Sequence, residues 1–219
     1  MLTLTEVLHR IVAHAWVYDS VQILAGIRRI QHYVRSELAK DPPVPLALDI
    51  GGGTGIARTL LQPESTYVCL DEDMVKLRGY RKKYPGRAAL LADGARLPVR
   101  SASIELIFCM SVFHHIPEFA LEQVISEMRR VLTSTGKLIL VDPIWAPRRR
   151  VGRLIWRYDR GAYPRRPEVL DTLLAEQFGP LRRERFAYWH EYLMWVGRPL
   201  PTVPRELSRA AASRVEEEV

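Results

Sequence analysis

The sequence predicts an α/β domain in which a mainly parallel β-sheet is covered by helices on both faces. From Leu46 to Asp142, five short apolar runs alternate with stretches of helical spacing. The runs are almost continuously hydrophobic, which is typical of parallel strands that are buried on both faces. The chain has 219 residues and 47% of them are hydrophobic, enough for one sizeable core. One folded unit is therefore expected.

Residues 3–40 are predicted to form two helices, because apolar residues recur there at three- and four-residue spacing. Asp19 or Ser20 is the expected cap between them. The segment DPPVP, residues 41–45, ends the second helix because proline cannot continue one. We expect residues 1–41 to form an N-terminal helical cap on a main domain at residues 42–200.

The main domain is predicted to contain five strands followed by a hairpin. The strands are LALDI (46–50), TYVCLD (66–71), AALLAD (88–93), SIELIFCM (103–110) and KLILVD (137–142). Helices are expected near 55–61, 73–84 and 117–132, with a shorter one near 95. After an arginine-rich insertion at 143–166 and a helix near 167–178, ERFAYWH and EYLMWVGR should close the sheet. Residues 201–219 form a C-terminal tail.

Composition predicts a cytoplasmic protein. No segment reaches the roughly 18 apolar residues that span a bilayer, and the N-terminus lacks the pattern of a secretory signal. Cys69 and Cys109 lie inside apolar runs, as core cysteines do in a reducing compartment. The net charge is +7, and the segment from Arg148 to Arg166, with eight arginines and one acid (8 − 1 = +7), equals that surplus.

The stretch LALDIGGGTGIART, residues 46–59, follows the first strand with four glycines in five positions. A glycine turn between strand and helix lets a ligand approach the backbone. A dinucleotide site needs a small residue at the sixth position of G-x-G-x-x-G/A, but Ile56 and Arg58 occupy it in the available registers. This mismatch disfavours an NAD-linked oxidoreductase.

The spacing that does fit is Asp-x-Gly-x-Gly-x-Gly, formed by Asp49, Gly51, Gly53 and Gly55. With this motif the sequence resembles the class I S-adenosylmethionine-dependent methyltransferases. The resemblance continues in order through LDEDM, ADGARLPVRSASIELIFCMSVFHHI and MRRVLTSTGKLILVDP. It implies a Rossmann-like class I methyltransferase fold, with a mainly parallel seven-stranded sheet and an antiparallel last strand.

The resemblance also implies the cofactor S-adenosylmethionine, the product S-adenosylhomocysteine and a set of contact residues. Asp71 is expected on the ribose hydroxyls, Asp93 on the adenine amino group, and Asp49 near the amino end of the cofactor. Met74 could pack against adenine, and Ser111 should lie near the methionyl part. The full predicted set is Asp49, Gly51, Gly52, Gly53, Gly55, Asp71, Glu72, Met74, Asp93, Gly94, Met110 and Ser111.

His114 and His115 lie where the resemblance places the meeting point of methyl group and acceptor. Histidine can accept a proton near neutral pH, so either is a candidate catalytic base; the alternative is a role in shape and hydrogen bonding. No metal site is predicted, because no further ligand has suitable spacing nearby. Candidates for the acceptor pocket are Trp16, Tyr18, His114, His115, Tyr158, Tyr163 and Trp189.

Missing motifs narrow the acceptor. The sequence CMSV stands where amino-methylating enzymes of the family have an Asn/Asp-Pro-Pro-aromatic tetrad. Cytosine-C5 methyltransferases need a nucleophilic cysteine, commonly after a proline, but Cys109 follows Phe108. What remains is similar to small-molecule methyltransferases, including quinone-precursor C-methyltransferases, whose N-terminal Tyr-Asp pair is matched by Tyr18 and Asp19. We expect a small, apolar or aromatic acceptor. The alternatives are an RNA or protein methyltransferase and a non-catalytic cofactor-binding subunit.

The arginine-rich segment leaves three interpretations open. Plotted as a helix, it has one apolar face and an opposite basic face, with Trp156 between: Val151, Leu154, Ile155 and Tyr158 against Arg149, Arg153, Arg157 and Arg160. In the first interpretation, the apolar face packs on the domain and the basic face is solvated. The helix could instead contact a membrane surface or an anionic lipophilic substrate, or bind nucleic acid.

Overall fold

The five apolar runs each form a strand of one sheet, and most of their side chains are buried except in the third run, where Leu91 is 52% exposed. The computed structural model describes residues 26–157 and 163–201. The strands are β1 Leu46–Ile50, β2 Thr66–Asp71, β3 Ala89–Leu91, β4 Ile104–Met110, β5 Leu132–Ile144, β6 Phe178–Ala187 and β7 Glu191–Pro199. The helices are α1 Ile27–Leu38, α2 Met74–Lys83, α3 Glu118–Val131, α4 Arg150–Trp156 and α5 Pro167–Ala175, with 3₁₀ turns at Ile56–Leu60 and Phe113–His115.

The strand order is β3-β2-β1-β4-β5-β7-β6. Strands β1 to β5 pair in parallel, and β7 runs antiparallel to both β5 and β6. The predicted seven-stranded sheet with an antiparallel last strand is therefore confirmed. Because the chain order reverses between β1 and β4, the carboxyl ends of these two strands border the crevice in which open α/β sheets bind ligands.

Helices cover both faces of the sheet. On one face, Ile30 and Val34 of α1 pack with Tyr80 of α2 in a cluster that includes β1 and β4. On the other, α3 and α5 bury Leu121 and Leu170. Burial of each such side chain contributes about 1.5–3 kcal/mol, so both layers are held mainly by the hydrophobic effect.

Three predicted elements differ from those in the structure. The segment near 55–61 is a 3₁₀ turn, because only a few residues separate Gly55 from Pro63, which disfavours helix before it. No helix forms near residue 95, where the Asp93 carboxylate accepts the Ala95 N–H at 2.8 Å and makes a turn. Strand β5 begins at Leu132, ahead of a bulge at residues 133–136.

Two further boundaries differ at the C-terminal side. Helix α5 ends at Ala175, and β6 begins at Phe178, earlier than ERFAYWH. The predicted first helix with its Asp19 or Ser20 cap, and the tail from residue 202 onward, lie outside the described residues. Within the described part of the chain, no helix has both the length and the hydropathy needed to span a bilayer.

Candidate active site

Acidic residues follow the ends of several neighbouring parallel strands. Asp49 lies near the end of β1, Asp71 ends β2, Asp93 follows β3 and Asp142 lies late in β5. The carboxyl ends of parallel strands meet at one edge of a sheet, so these carboxylates belong to the same edge. The glycine turn after β1 lies among them.

The glycine turn adopts backbone conformations that other residues avoid. Gly51 has φ +70° and Gly55 has φ +78°. A Cβ added at Gly51 would come within 2.4 Å of Val112 Cγ2, and one at Gly55 within 2.4 Å of Tyr80 Cδ2. The turn needs glycine for its own geometry and close packing. It borders a pocket lined by Ile27, Asp49, Gly51, Gly52, Ile56, Ala57, Met110 and Ser111, five of which the sequence predicted as cofactor contacts.

The Asp71 carboxylate is oriented by backbone N–H groups. Gly53 N–H donates to its Oδ2 at 2.9 Å, and Asp73 N–H donates to its Oδ1 at 2.8 Å. Asp71 is 3% exposed, and Lys76 Nζ lies 3.9 Å from Oδ2. A carboxylate oxygen can accept two hydrogen bonds, so each oxygen of Asp71 has a second acceptor direction besides the one used by its N–H donor. Asp73 caps α2 through Val75 N–H, as its position predicts.

Asp49 is buried and accepts a hydrogen bond from the Tyr67 hydroxyl. Burial is the main reason that its pKa is raised to about 7, and the neighbouring charge of Asp71 adds to the effect. The hydrogen bond from Tyr67 opposes the shift without cancelling it. Asp49 therefore changes protonation near neutral pH.

The remaining predicted cofactor residues differ in exposure. Asp93 and Glu72 are exposed, Gly94 is half-buried, and Met74 is also exposed at the start of α2. Ser111 has the unusual φ of +56° for a non-glycine residue, and its N–H donates to the Val141 carbonyl at 2.7 Å. Glu72, Met74, Asp93 and Gly94 lie outside the pocket lining, as do Gly53, Gly55 and Asp71, whereas Ser111 is part of it.

Asp142 organises the loop after β4, a role that sequence reasoning missed. Its buried carboxylate accepts the N–H groups of Val112 at 2.9 Å, Phe113 at 3.1 Å and His114 at 3.0 Å. His114 Nδ1 lies 3.1 Å from Asp142 Oδ1. A carboxylate that accepts three N–H groups acts as an acceptor only, so His114 Nδ1 is the donor. In the neutral ring, Nε2 is then the proton-accepting atom.

Two aromatic residues beside His114 were also missed as site residues. His114 is 4% exposed, and its ring lies 5.6 Å from that of Trp156, which lies 4.6 Å from that of His190. His115 is exposed. Among the other predicted acceptor residues, Tyr163 and Trp189 are partly exposed, while Trp16, Tyr18 and Tyr158 lie outside the described residues.

Arg165 also holds the loop after β4, through hydrogen bonds to its carbonyl groups. Its guanidinium donates to the carbonyls of Phe113 at 2.8 Å and Ile116 at 2.7 Å, and pairs with Glu118 at 2.8 Å. It is buried, so this arginine of the basic segment supports the active-site loop rather than an outer surface.

The apolar face predicted for the arginine-rich helix is only partly packed on the domain: Ile155 is half-buried, and Tyr158 lies outside the described residues. Val151 and Leu154 are 50% and 55% exposed. Gly152 is buried instead, and Trp156 is half-buried. Gly152 lies against the turn before β7, where an added Cβ would be in van der Waals contact with the Trp189 carbonyl oxygen at 3.4 Å.

Both cysteines are buried thiols with raised pKa values. Burial raises the pKa of the Cys109 thiol well above its usual value, which keeps it protonated and weakly nucleophilic. Cys69 is likewise buried with a raised pKa. In residues 26–157 and 163–201, no group of three or more His, Cys, Asp or Glu side chains is arranged to hold a metal ion.

The strand order, the glycine turn and the acidic strand ends define the class I methyltransferase type of α/β domain. Residues 48–140 match the family model described as a methyltransferase domain. This region is a class I S-adenosylmethionine-dependent methyltransferase domain, a type whose cofactor is S-adenosylmethionine, as the sequence motifs predicted.

Relatives and solved structures agree with this assignment. A malonyl-[acyl-carrier protein] O-methyltransferase of Methylococcus capsulatus is 31% identical over 171 residues, which are 73% of this chain and 58% of that protein. The magnesium protoporphyrin IX methyltransferase of Synechocystis, solved with bound S-adenosylhomocysteine, superposes with a TM-score of 0.66 at 17% identity, covering 80% of this chain and 84% of the other. A methyltransferase of Haloferax volcanii, solved with the Trm112 activator, has a TM-score of 0.69 at 16% identity, covering 85% and 97%. The chain spans 37% to 58% of the length of the curated relatives that it matches.

Proposed function

We propose that this protein transfers a methyl group from S-adenosylmethionine to a small, apolar or aromatic acceptor and leaves S-adenosylhomocysteine. The observation that carries the proposal is the Asp71 carboxylate, held by Gly53 N–H at 2.9 Å beside the glycine turn. A carboxylate fixed in this way has acceptor directions left for two adjacent hydroxyl groups, which is what a ribose presents.

The donor set around the pocket fits the cofactor. Asp49 offers a carboxylate to a positively charged amino group, and the turn from Gly51 to Gly55 leaves bare backbone beside it. Met110 and Ser111 line the same pocket from the end of β4. When bound, S-adenosylmethionine supplies a methyl group that its sulfonium already activates. The work left to the chain is to align the reacting groups and to exclude water.

Of the two histidines, His114 is the better candidate for the general base that takes a proton from the methyl acceptor. Asp142 fixes its Nδ1 as a donor, so the neutral ring accepts a proton at Nε2. His115 is exposed, which suits a role in shaping the acceptor pocket. Trp156 packs against His114 and gives this side of the site an aromatic wall.

The two histidines can be separated by kinetics. We expect His114→Gln to lower kcat by about 10²- to 10⁴-fold if His114 is the general base, and to remove the acidic limb of the pH–rate profile. His115→Gln should change KM more than kcat. An unchanged kcat and pH profile in His114→Gln would assign His114 to hydrogen bonding and shape alone.

The overall function is tested by measuring S-adenosylhomocysteine released from S-adenosylmethionine in the presence of different acceptors. The panel contains a phenol or quinol, a malonyl thioester, bulk tRNA and a mixed protein substrate. The malonyl thioester is included because the Methylococcus relative is named for that group. We expect turnover with the aromatic small molecules.

Two other results would replace this proposal. Turnover with only RNA or protein would indicate a macromolecular methyltransferase that docks through the arginine-rich segment. Tight S-adenosylhomocysteine binding without turnover on any acceptor would indicate a non-catalytic subunit. Gel filtration and pull-down would then identify the partner, as the activator complex of the Haloferax protein illustrates for that protein.

A further inference from the structure

Helix α4 presents two neighbouring strips of side chains to solvent. Val151 and Leu154, one turn apart, form an aliphatic strip and are 50% and 55% exposed. The exposed arginines Arg150, Arg153 and Arg157 form a basic strip beside it. Together these five residues are called the α4 surface below. The opposite side of the helix, with Gly152 and Trp156, packs toward the turn before β7.

Among the described residues, no acidic side chain offsets the positive charge of the basic strip. None of its three arginines forms an ion pair with a residue that the structure describes. Helix α4 itself contains no acidic residue, and Arg148 before it is also exposed. The strip therefore attracts an anionic surface, with an interaction that salt weakens.

We propose that the α4 surface docks the protein on a bilayer that contains anionic phospholipids. The aliphatic strip enters the boundary between headgroups and acyl chains, and the arginines pair with lipid phosphates. A guanidinium matches phosphate geometry through paired hydrogen bonds, and each basic residue near an anionic leaflet adds to the affinity. This is the arrangement of an interfacial amphipathic helix, here on one short element.

The aliphatic strip favours lipid over nucleic acid as the occupant. RNA would engage the arginines and stack on aromatic rings, but it would gain nothing from Val151 and Leu154. A bilayer uses both strips at once. The adjacent turn also exposes Trp189 by 46%, and tryptophan is enriched at membrane–water interfaces.

The position of the α4 surface connects it with the candidate active site. Helix α4 follows β5 at the carboxyl edge of the sheet, and Trp156 on its inner side contacts His114. Docking through the outer side would hold the acceptor side of the site close to the bilayer. The docking itself does not depend on methyl transfer.

Vesicle co-sedimentation of the full chain tests the proposal. Vesicles of phosphatidylcholine alone are compared with vesicles that contain about 30% phosphatidylglycerol, at low and high salt. We expect the partition coefficient to be about tenfold higher on the anionic vesicles and to fall with salt. The triple variant Arg150→Glu, Arg153→Glu, Arg157→Glu should abolish this preference, and Val151→Ser with Leu154→Ser should reduce binding several-fold.

Matched variants elsewhere on the surface serve as controls. Arg78→Glu, Arg81→Glu and Lys82→Glu on α2 make the same charge change, and Phe119→Ser on α3 with Leu181→Ser on β6 removes exposed apolar groups from other elements. Both should bind anionic vesicles better than the corresponding α4 variants, with thermal melting used to check folding. Equal loss in the two charge-reversed triples would overturn the proposal. So would vesicle binding that is unchanged in the α4 triple while its binding to an RNA oligonucleotide is lost.

Discussion

Asp49 shows how burial changes the chemistry of a single residue. An exposed aspartate is ionised at neutral pH, but burial next to Asp71 raises the pKa of Asp49 to about 7. The folded protein therefore holds a proton between about pH 4 and pH 7 that the unfolded chain releases. Over this range the group makes folding less favourable as pH rises, because the unfolded state binds fewer protons.

Cofactor binding should release this proton. A charged amino group beside Asp49 favours its carboxylate form, so binding of S-adenosylhomocysteine at pH 6 should release up to about nine-tenths of a proton, and far less at pH 8.5. Calorimetry in buffers with different ionisation enthalpies measures the number directly. Asp49→Asn should remove the linkage. A heat of binding that is independent of the buffer at pH 6 would contradict the proposed position of the amino group.

The role of Asp142 in holding the loop after β4 could not be predicted from the sequence. Asp49, Asp71 and Asp93 can be identified because acids that end apolar runs fit an ordered motif. Asp142 ends such a run too, but the groups that it holds lie 28 to 30 residues earlier in the chain. Nothing in the sequence pairs these segments. The available signal was that an aspartate lies at or near the ends of β1, β2, β3 and β5.

Among the elements, the loop after β4 depends on Arg165. Sequence reasoning grouped this arginine with the basic surface, because its partners Phe113 and Glu118 are 52 and 47 residues away. The structure separates it from the exposed arginines of α4. The charge count of the segment was correct, yet charge alone does not reveal which guanidinium is buried.

Removing the Arg165 side chain should destabilise the protein. Arg165→Ala leaves the carbonyls of Phe113 and Ile116 without their donor in a buried place, and we expect a loss of about 3 kcal/mol in the free energy of unfolding. The neighbouring Arg166 is exposed, so Arg166→Ala should change it by less than about 0.5 kcal/mol. Urea unfolding compares the two. Equal stabilities would rule out Arg165 as a support of the loop.

Helix α1 is fastened to the sheet by a buried ionic cluster. Glu37 pairs with Lys137 of β5 at 3.3 Å and with Arg182 of β6 at 3.0 Å, and Lys40 also contacts it at 2.7 Å. Burial opposes ionisation of Glu37, but hydrogen bonds from Lys40, Arg182 and Lys137 outweigh it and lower the pKa. Its contribution to stability is therefore present above its ordinary pKa of 4.5 and is lost as pH falls below that value.

Neutralising Glu37 tests this attachment. Glu37→Gln leaves the buried ammonium of Lys137 with less opposing charge, and we expect a loss of about 3 kcal/mol at pH 7. The difference from the parent should shrink below about pH 4, where the parent also loses the charge. Glu122→Gln on the exposed side of α3 is the control. Chemical unfolding at several pH values gives the measurement, and a difference independent of pH would contradict the account.

For the whole molecule, the topology was predictable and the acceptor side was not. The alternation of apolar runs and helical stretches, together with ordered motifs from Asp49 to Asp142, specifies the sheet and its ligand edge. The acceptor side is built from α4, the turn before β7 and the loop after β4, whose contacts join segments far apart in sequence. Trp156 and His190 meet there through tertiary packing. The spacing of these two residues in the sequence matches no motif, so their contact could not be predicted.

The central claim concerns the whole domain: its carboxyl edge binds S-adenosylmethionine through Asp71. The direct measurement is calorimetric titration of the full chain and two variants with S-adenosylhomocysteine, and of the parent with NADH. We expect the parent to bind S-adenosylhomocysteine with a Kd on the order of 1 μM and not to bind NADH. Asp71→Ala should lose binding while Asp73→Ala, which removes only the α2 cap, keeps it. Binding of NADH alone, or undiminished affinity in a folded Asp71→Ala variant, would contradict the claim.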